Sequence, residues 1–246
     1  MRPTKTLLAL LLCVPALPAL AQDDESTGPF TFSGGAWALS DYVWRGVSQT
    51  QENPAFQAEF SVAHESGFYV GAWATTVDFT PAGAEDDGID YELDTYVGWA
   101  GDLTDTLSLD LTFTRLIYPG YNEGYDYNFN EFSAALGFAE NYTATVVYSD
   151  DAINLGGSAV YYNLAGEWEL GDSGFALGAA IGHYDLDDAL DDSYEDYMVS
   201  LSRGFGPVSA SLMYTDTSGY SDLLAEGLGD ASLADGRVAL MVGVEF

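Results

Sequence analysis

The chain has 246 residues, a single cysteine, 39 acidic residues against six basic ones, and 14% aromatic side chains. That balance excludes nucleic acid as a partner, because phosphate binding needs clustered Lys and Arg, and the aromatic content excludes the disorder that such acidity accompanies when aromatics are few. Acid, aromatic residues and Gly with almost no Lys suit a membrane barrel with a polar interior and aromatic girdles better than a soluble enzyme.

In chain order, residues 1–21 read as a cleaved export signal. Arg2 and Lys5 supply positive charge, an apolar run extends from Leu7 through Leu17, and Ala19-Leu20-Ala21 presents small residues before cleavage at Gln22. The run is too short and too broken by Pro15 and Pro18 for a spanning helix, which needs about 20 apolar residues. Cys13 leaves with the signal, so the mature chain has no thiol and no Cys-based metal site. Removing Arg2 and Lys5 leaves four arginines against 39 acids, a net charge of −35. Residues 22–29 are expected to form a short N-terminal periplasmic segment, and 30–246 one barrel domain.

From there the apolar residues alternate. Phe56, Ala58, Phe60 and Val62 share one face against Gln57, Glu59 and Ser61, and Leu107, Leu109, Leu111 and Phe113 oppose Ser108, Asp110 and Thr112. Period two predicts strands with one apolar and one polar face. Twelve are expected: 31–45, 55–64, 68–77, 91–100, 106–117, 130–138, 142–149, 158–168, 175–184, 194–203, 207–215 and 236–246. The connections alternate strictly between short ones, such as Glu65-Ser66-Gly67, and long acidic ones, such as Asp78 to Asp90. This places all short turns at one end. The fold class is therefore all-β: a closed antiparallel transmembrane barrel with short periplasmic turns and longer acidic extracellular loops. Closure is required because every backbone N–H and C=O in hydrocarbon must be paired within the protein. In the last strand Val238, Leu240, Val242, Val244 and Phe246 share the apolar face, a pattern that resembles the C-terminal signature read by the outer-membrane barrel-assembly machinery.

Ser40-Asp41-Tyr42-Val43-Trp44-Arg45-Gly46-Val47-Ser48-Gln49, followed by Pro54-Ala55-Phe56-Gln57, Gly67 to Trp73 and Glu92-Leu93-Asp94, resembles the opening motif of the Gcw-chp family, proteobacterial proteins also grouped as TorF-family porins. The resemblance covers about residues 36–100. It implies an outer-membrane protein and little about chemistry. Thr75-Thr76 stands before Val77 where the family pattern has Ser-Asn.

Eight strand acids oppose apolar faces: Glu59, Glu92, Asp94, Asp110, Glu131, Glu167, Asp196 and Glu245. A charge facing lipid at mid-membrane costs a few kcal/mol, so these are expected in the lumen, either lining a cation-favouring pore or bonded within a filled interior. Arg45 and Arg237 are expected to pair with lumen acids. Arg115 and Arg203 are in phase with apolar faces near strand ends, where they can snorkel. The acidic loops around Glu85-Asp86-Asp87 and Asp185 to Asp192 lack EF-hand spacing and read as solvated surface. His64 and His183 lack a Gly-x-Ser-x-Gly elbow or a neighbouring nucleophile, so no catalytic residues, no cofactor and no metal are expected. Trp37, Trp44, Trp73, Trp99 and Trp168 fall mostly near strand ends and read as interfacial girdles.

The expected function is a porin-like channel in the bacterial outer membrane for small cationic or neutral solutes, with outer-membrane lipid and lipopolysaccharide as surroundings. A non-conducting structural or adhesion barrel is the alternative, and a barrel hydrolase a third reading.

Overall fold

The computed structural model describes residues 28–80 and 83–246. The expected export signal, its expected cleavage site and residues 22–27 lie outside the described residues. Fourteen strands occur in chain order among them: β1 (Phe30–Leu39), β2 (Val43–Trp44), β3 (Val47–Ser48), β4 (Ala55–His64), β5 (Phe68–Thr76), β6 (Tyr91–Thr104), β7 (Leu107–Ile117), β8 (Phe129–Phe138), β9 (Tyr142–Ser149), β10 (Ala159–Glu169), β11 (Phe175–Asp185), β12 (Ser193–Phe205), β13 (Val208–Ser218) and β14 (Arg237–Glu245). Twelve of them close into an antiparallel barrel, each paired with its neighbour in sequence and β1 paired with both β4 and β14. The seam is completed by Phe246, whose N–H donates to the Gly34 carbonyl while Gly34 N–H donates to the Phe246 carbonyl, both at 2.9 Å.

Alternation works as hydrophobic sorting. On β14, Val238, Leu240, Val242 and Val244 are exposed on the outside, whereas Ala239 and Met241 are wholly buried on the inside. On β4, Phe56 and Phe60 face out, and Gln57 and Ser61 face in. Arg115 and Arg203 also face outward. Arg115 donates to the Asn130 side chain at 3.2 Å, and Arg203 lies over the rings of Phe175 and Phe205 at 4.8 and 5.2 Å.

The first strand departs from the expected 31–45. It ends at Leu39, and within the connection 40–54 the segment 41–50 turns inward while Ser40 and Glu52 to Pro54 stay exposed. Leu39 and Ala55 are register partners across β1 and β4, so a two-residue turn would have sufficed there. The chain instead inserts a hairpin, β2–β3, which pairs with itself and with no strand of the wall. Its tip is Arg45-Gly46, with φ of 49° and 82°, the left-handed pair that a two-residue hairpin turn requires. Alternation alone cannot see this, because Tyr42 and Trp44 continue the period while packing against a different surface.

The interior is correspondingly not uniformly polar. Toward the long-loop end, Leu39, Tyr42, Trp73, Leu116, Tyr118 and Phe129 form one apolar cluster. Val47, Tyr161, Tyr184, Leu186, Tyr194 and Leu224 belong to a second. Leu224 sits on a short helix, α1 (Asp222–Leu228), which Ser221 caps by accepting from the Leu223 and Leu224 N–H groups. The loop after β13 thus tucks its apolar side over the barrel mouth instead of projecting wholly as a solvated acidic loop.

Candidate functional site: the barrel interior

Toward the short-turn end the inner surface is built from small residues with aromatic rings laid flat on them. Tyr69 pairs across strands with Gly98, and Gly71 with Tyr96. Trp37 pairs with Gly243. A Cβ at any of these glycines would overlap the facing ring, so glycine is what lets the aromatic lie against the wall rather than across the lumen. The laid-down rings hold carboxylates. Tyr96 donates to Glu59, Tyr69 donates to Asp110 at 2.6 Å, and Trp37 donates to Glu245 at 3.3 Å. Glu167 lies inward near the end of β10. Arg45 and Arg237 sit at the opposite end and Arg203 points outward, so these four acids have no ion-pair partner among the described residues. Beside them, the buried hydroxyls of Ser200, Ser202, Ser209 and Ser211 and one oxygen of Asp110 have no protein hydrogen-bond partner.

The other four acids occupy the half under the hairpin. Glu92 accepts from Tyr118 at 3.1 Å. Asp94 is register partner of Trp73 and Leu116. Glu131, 2% exposed, is paired with Arg45 at 2.7 Å. Asp196 accepts from Tyr161 at 3.2 Å through one oxygen, and its other oxygen is buried without a partner.

Arg45 therefore does pair with an interior acid, but from the hairpin and not from the wall. Its guanidinium lies 4.2 Å from the Trp44 ring centre, 4.5 Å from Tyr161 and 4.4 Å from Tyr184. Tyr194 donates to the Arg45 carbonyl at 2.9 Å. The rest of the Ser40–Gln49 motif shapes the hairpin. Ser48 donates to Asp41 at 2.6 Å, Gln49 N–H donates to the Tyr42 carbonyl at 2.7 Å, and Ser40 Oγ accepts from Leu240 N–H at 2.9 Å. A Cβ at Gly46 would press on Asp196 and Thr217. Arg237 ties the base down by donating to Asp41 at 3.3 Å and Glu52 at 3.2 Å.

No nucleophile is expected beside either histidine, but the structure places a hydroxyl next to His64. His64 lies beside Ser66 at 2.7 Å in an exposed turn, where it also accepts the Ser66 N–H. His183 faces outward and lies 3.4 Å from Glu195. Among the described residues, no group of three or more His, Cys, Asp or Glu side chains could hold a metal ion.

Three of the five tryptophans were misplaced by the girdle reading. Trp37, Trp44 and Trp73 lie inside the barrel, because interior glycines and the hairpin give them apolar surroundings. Sequence reasoning also missed Tyr161, Tyr184 and Tyr194. Their available signal was strand phase, which puts Tyr161 in step with Glu167, and both Tyr184 and Tyr194 opposite outward-facing apolar residues.

The chain matches, over residues 23–246, the bacterial family Gcw_chp, described as a bacterial protein of unknown function. No curated protein matches. Among solved structures it is similar to the NanC porin, with TM-score 0.51 and 10% identity over 88% of this chain and 99% of that one. It is also similar to the KdgM porin, at 0.48 and 8% over 88% and 98%. An outer-membrane channel from Pseudomonas putida F1 follows, at 0.46 and 11% over 87% and 95%. At 10% identity the likeness to the NanC porin concerns the fold alone, a closed antiparallel barrel. The resemblance seen over residues 36–100 extends through the last strand, and the chain belongs to the Gcw_chp family.

Proposed function

We propose that the protein is a porin-like outer-membrane channel for passive diffusion of small solutes, cation-preferring, with its outer half narrowed by the inward hairpin. The supporting observation is how the interior charge is divided. Arg45 and Arg237 each pair with an acid of the hairpin half, Glu131 and Asp41, whereas Glu92, Asp94 and Asp196 in that half, and Glu59, Asp110, Glu167 and Glu245 toward the short turns, have no salt bridge among the described residues, which leaves a net negative interior concentrated away from the two arginines. A buried polar atom without a partner costs about 1–3 kcal/mol, and the unpartnered hydroxyls of β12 and β13 lie among inward residues. A hydrated, acid-lined chamber satisfies both the hydroxyls and the carboxylates. The apolar outer face suits lipid. The paired edge of the strand ending at Phe246 suits handling by the barrel-assembly machinery, with lipopolysaccharide outside.

The test is the reversal potential of the purified protein in a planar bilayer under a KCl gradient. A cation-selective value supports the proposal, and an anion-selective value refutes it. The tight seating of the hairpin, with Arg45 and Glu131 3% and 2% exposed, favours a non-conducting barrel as the second reading. Replacing residues 40–54 by a two-residue turn between Leu39 and Ala55 separates the two. Conductance that appears only on removal identifies a gated channel. Silence in both forms establishes the structural barrel.

A further inference from the structure

The hairpin is joined to the barrel mainly through side chains, so it can leave the lumen without breaking a ladder of the wall. It would leave behind a set of wall groups arranged around a cation. Glu131 comes from β8, Tyr161 from β10, Tyr184 from β11 and Asp196 from β12. The carboxylate of Glu131 meets the guanidinium at 2.7 Å, and the two tyrosine rings lie 4.5 and 4.4 Å from its centre. Asp196 approaches the hairpin tip, since a Cβ on Gly46 would touch its own Cβ at 2.9 Å, and one of its oxygens is buried with no partner. Two aromatic faces with a desolvated carboxylate select a flat or alkylated cation over a strongly hydrated metal ion. Arg45 reaches this site with a backbone φ of 49°, a left-handed conformation that disfavours a side-chain-bearing residue.

We propose that the lumen wall carries a binding site for guanidinium- and amine-bearing solutes, formed by Glu131, Tyr161, Tyr184 and Asp196, and that Arg45 occupies it as a tethered ligand. The proposal deepens the cation-channel reading by naming a solute class. A guanidinium solute competes with the hairpin for the same groups, so binding and displacement of the plug are one equilibrium.

The experiment uses the full-length protein in detergent with millimolar guanidinium chloride as probe and equal KCl as control. R45A vacates the site. Its heat-induced loss of the folded, fast-migrating gel band is expected to occur at lower temperature than in the wild type, and guanidinium is expected to restore it saturably. In R45A/E131Q the guanidinium affinity falls about tenfold or more, the scale of a charge-assisted hydrogen bond. The wild type, with its site filled, gains little. If R45A fails to fold, R45K serves: its tethered amine is a poorer ligand that loses the planar stacking, so guanidinium is expected to displace it and rescue the band, only partly and at higher concentration than an empty site would need. An R45A or R45K protein that folds but is indifferent to guanidinium relative to KCl, or an unchanged affinity after E131Q, overturns the site. These measurements need no conductance. Guanidinium block of K⁺ current through R45A in a bilayer then tests the site's position on the path, so failure of the channel reading and failure of the site are told apart.

Discussion

Neutralising Glu59 and Glu245 together should lower cation selectivity without disturbing the fold. Both are register partners of Gly35, one on each side of β1, so their Cα atoms are about 10 Å apart at the usual strand spacing. Twelve strands tilted about 40° give a barrel radius of about 12 Å. A glutamate reaching inward about 4 Å then stands about 8 Å from the axis. At that distance one charge attracts a monovalent cation by about 0.5 kcal/mol in water-like surroundings and about 2 kcal/mol at an effective dielectric of 20. The occupancy change is about two- to thirty-fold per carboxylate, and at least about fivefold for the pair. In E59Q/E245Q the acceptor oxygens that receive Tyr96 and Trp37 remain, so the barrel should keep its heat-modifiable gel band. Reversal potentials in KCl gradients should move toward zero. The shift should be largest near 0.01 M salt, where screening reaches about 30 Å, and vanish near 1 M, where it reaches about 3 Å. A folded double variant with unchanged selectivity at low salt would show that these carboxylates do not line the conducting path.

Three further outcomes are expected. Gly71→Ala should destabilise the barrel by about 1–3 kcal/mol, because a Cβ there overlaps Tyr96. Gly204→Ala, with open space around it, should be neutral in the same denaturant titration. Epitopes inserted at Gly156, in a long loop where an added Cβ would meet nothing within 4 Å, should be reached by antibody on intact cells, and epitopes at Gly206 should not; the reverse pattern would invert the topology. At the long-loop end, bonds from the Ser158 N–H and hydroxyl hold Asp188 below the ordinary aspartate value of 3.8. The Ser221 hydroxyl and the Ser193 N–H do the same for Asp192. A depressed folded-state pKa means stability present above the unfolded value and lost as pH falls through the folded one. Cleavage of the 150–158 and 219–236 loops by an acid-active protease should therefore rise as pH drops below 3.8, and S158A and S221A should blunt that pH dependence.

The barrel itself was legible in the amino-acid order, because membrane strands impose a period-two sorting that survives in sequence. Phe56 against Gln57, and Val238 to Val244 against Ala239 and Met241, required no knowledge of partners. Loop length did the rest, since short and long connections alternate only when all short turns share one end. The inward phase of Glu59, Asp110, Glu131 and Asp196 follows from the same rule. What these acids touch was decided by tertiary structure. Nothing in the spacing says that Arg45 leaves the wall to meet Glu131, Tyr161 and Tyr184, residues brought together from three other strands. Nor does it say that Trp37 lies on Gly243 from the opposite end of the chain. Periodicity reports which side of a sheet a residue faces, and it is blind to what fills the space enclosed. That filling depends on side-chain volume, on glycine gaps in register across strands, and on a hairpin whose apolar residues keep the strand rhythm while belonging to no strand of the wall.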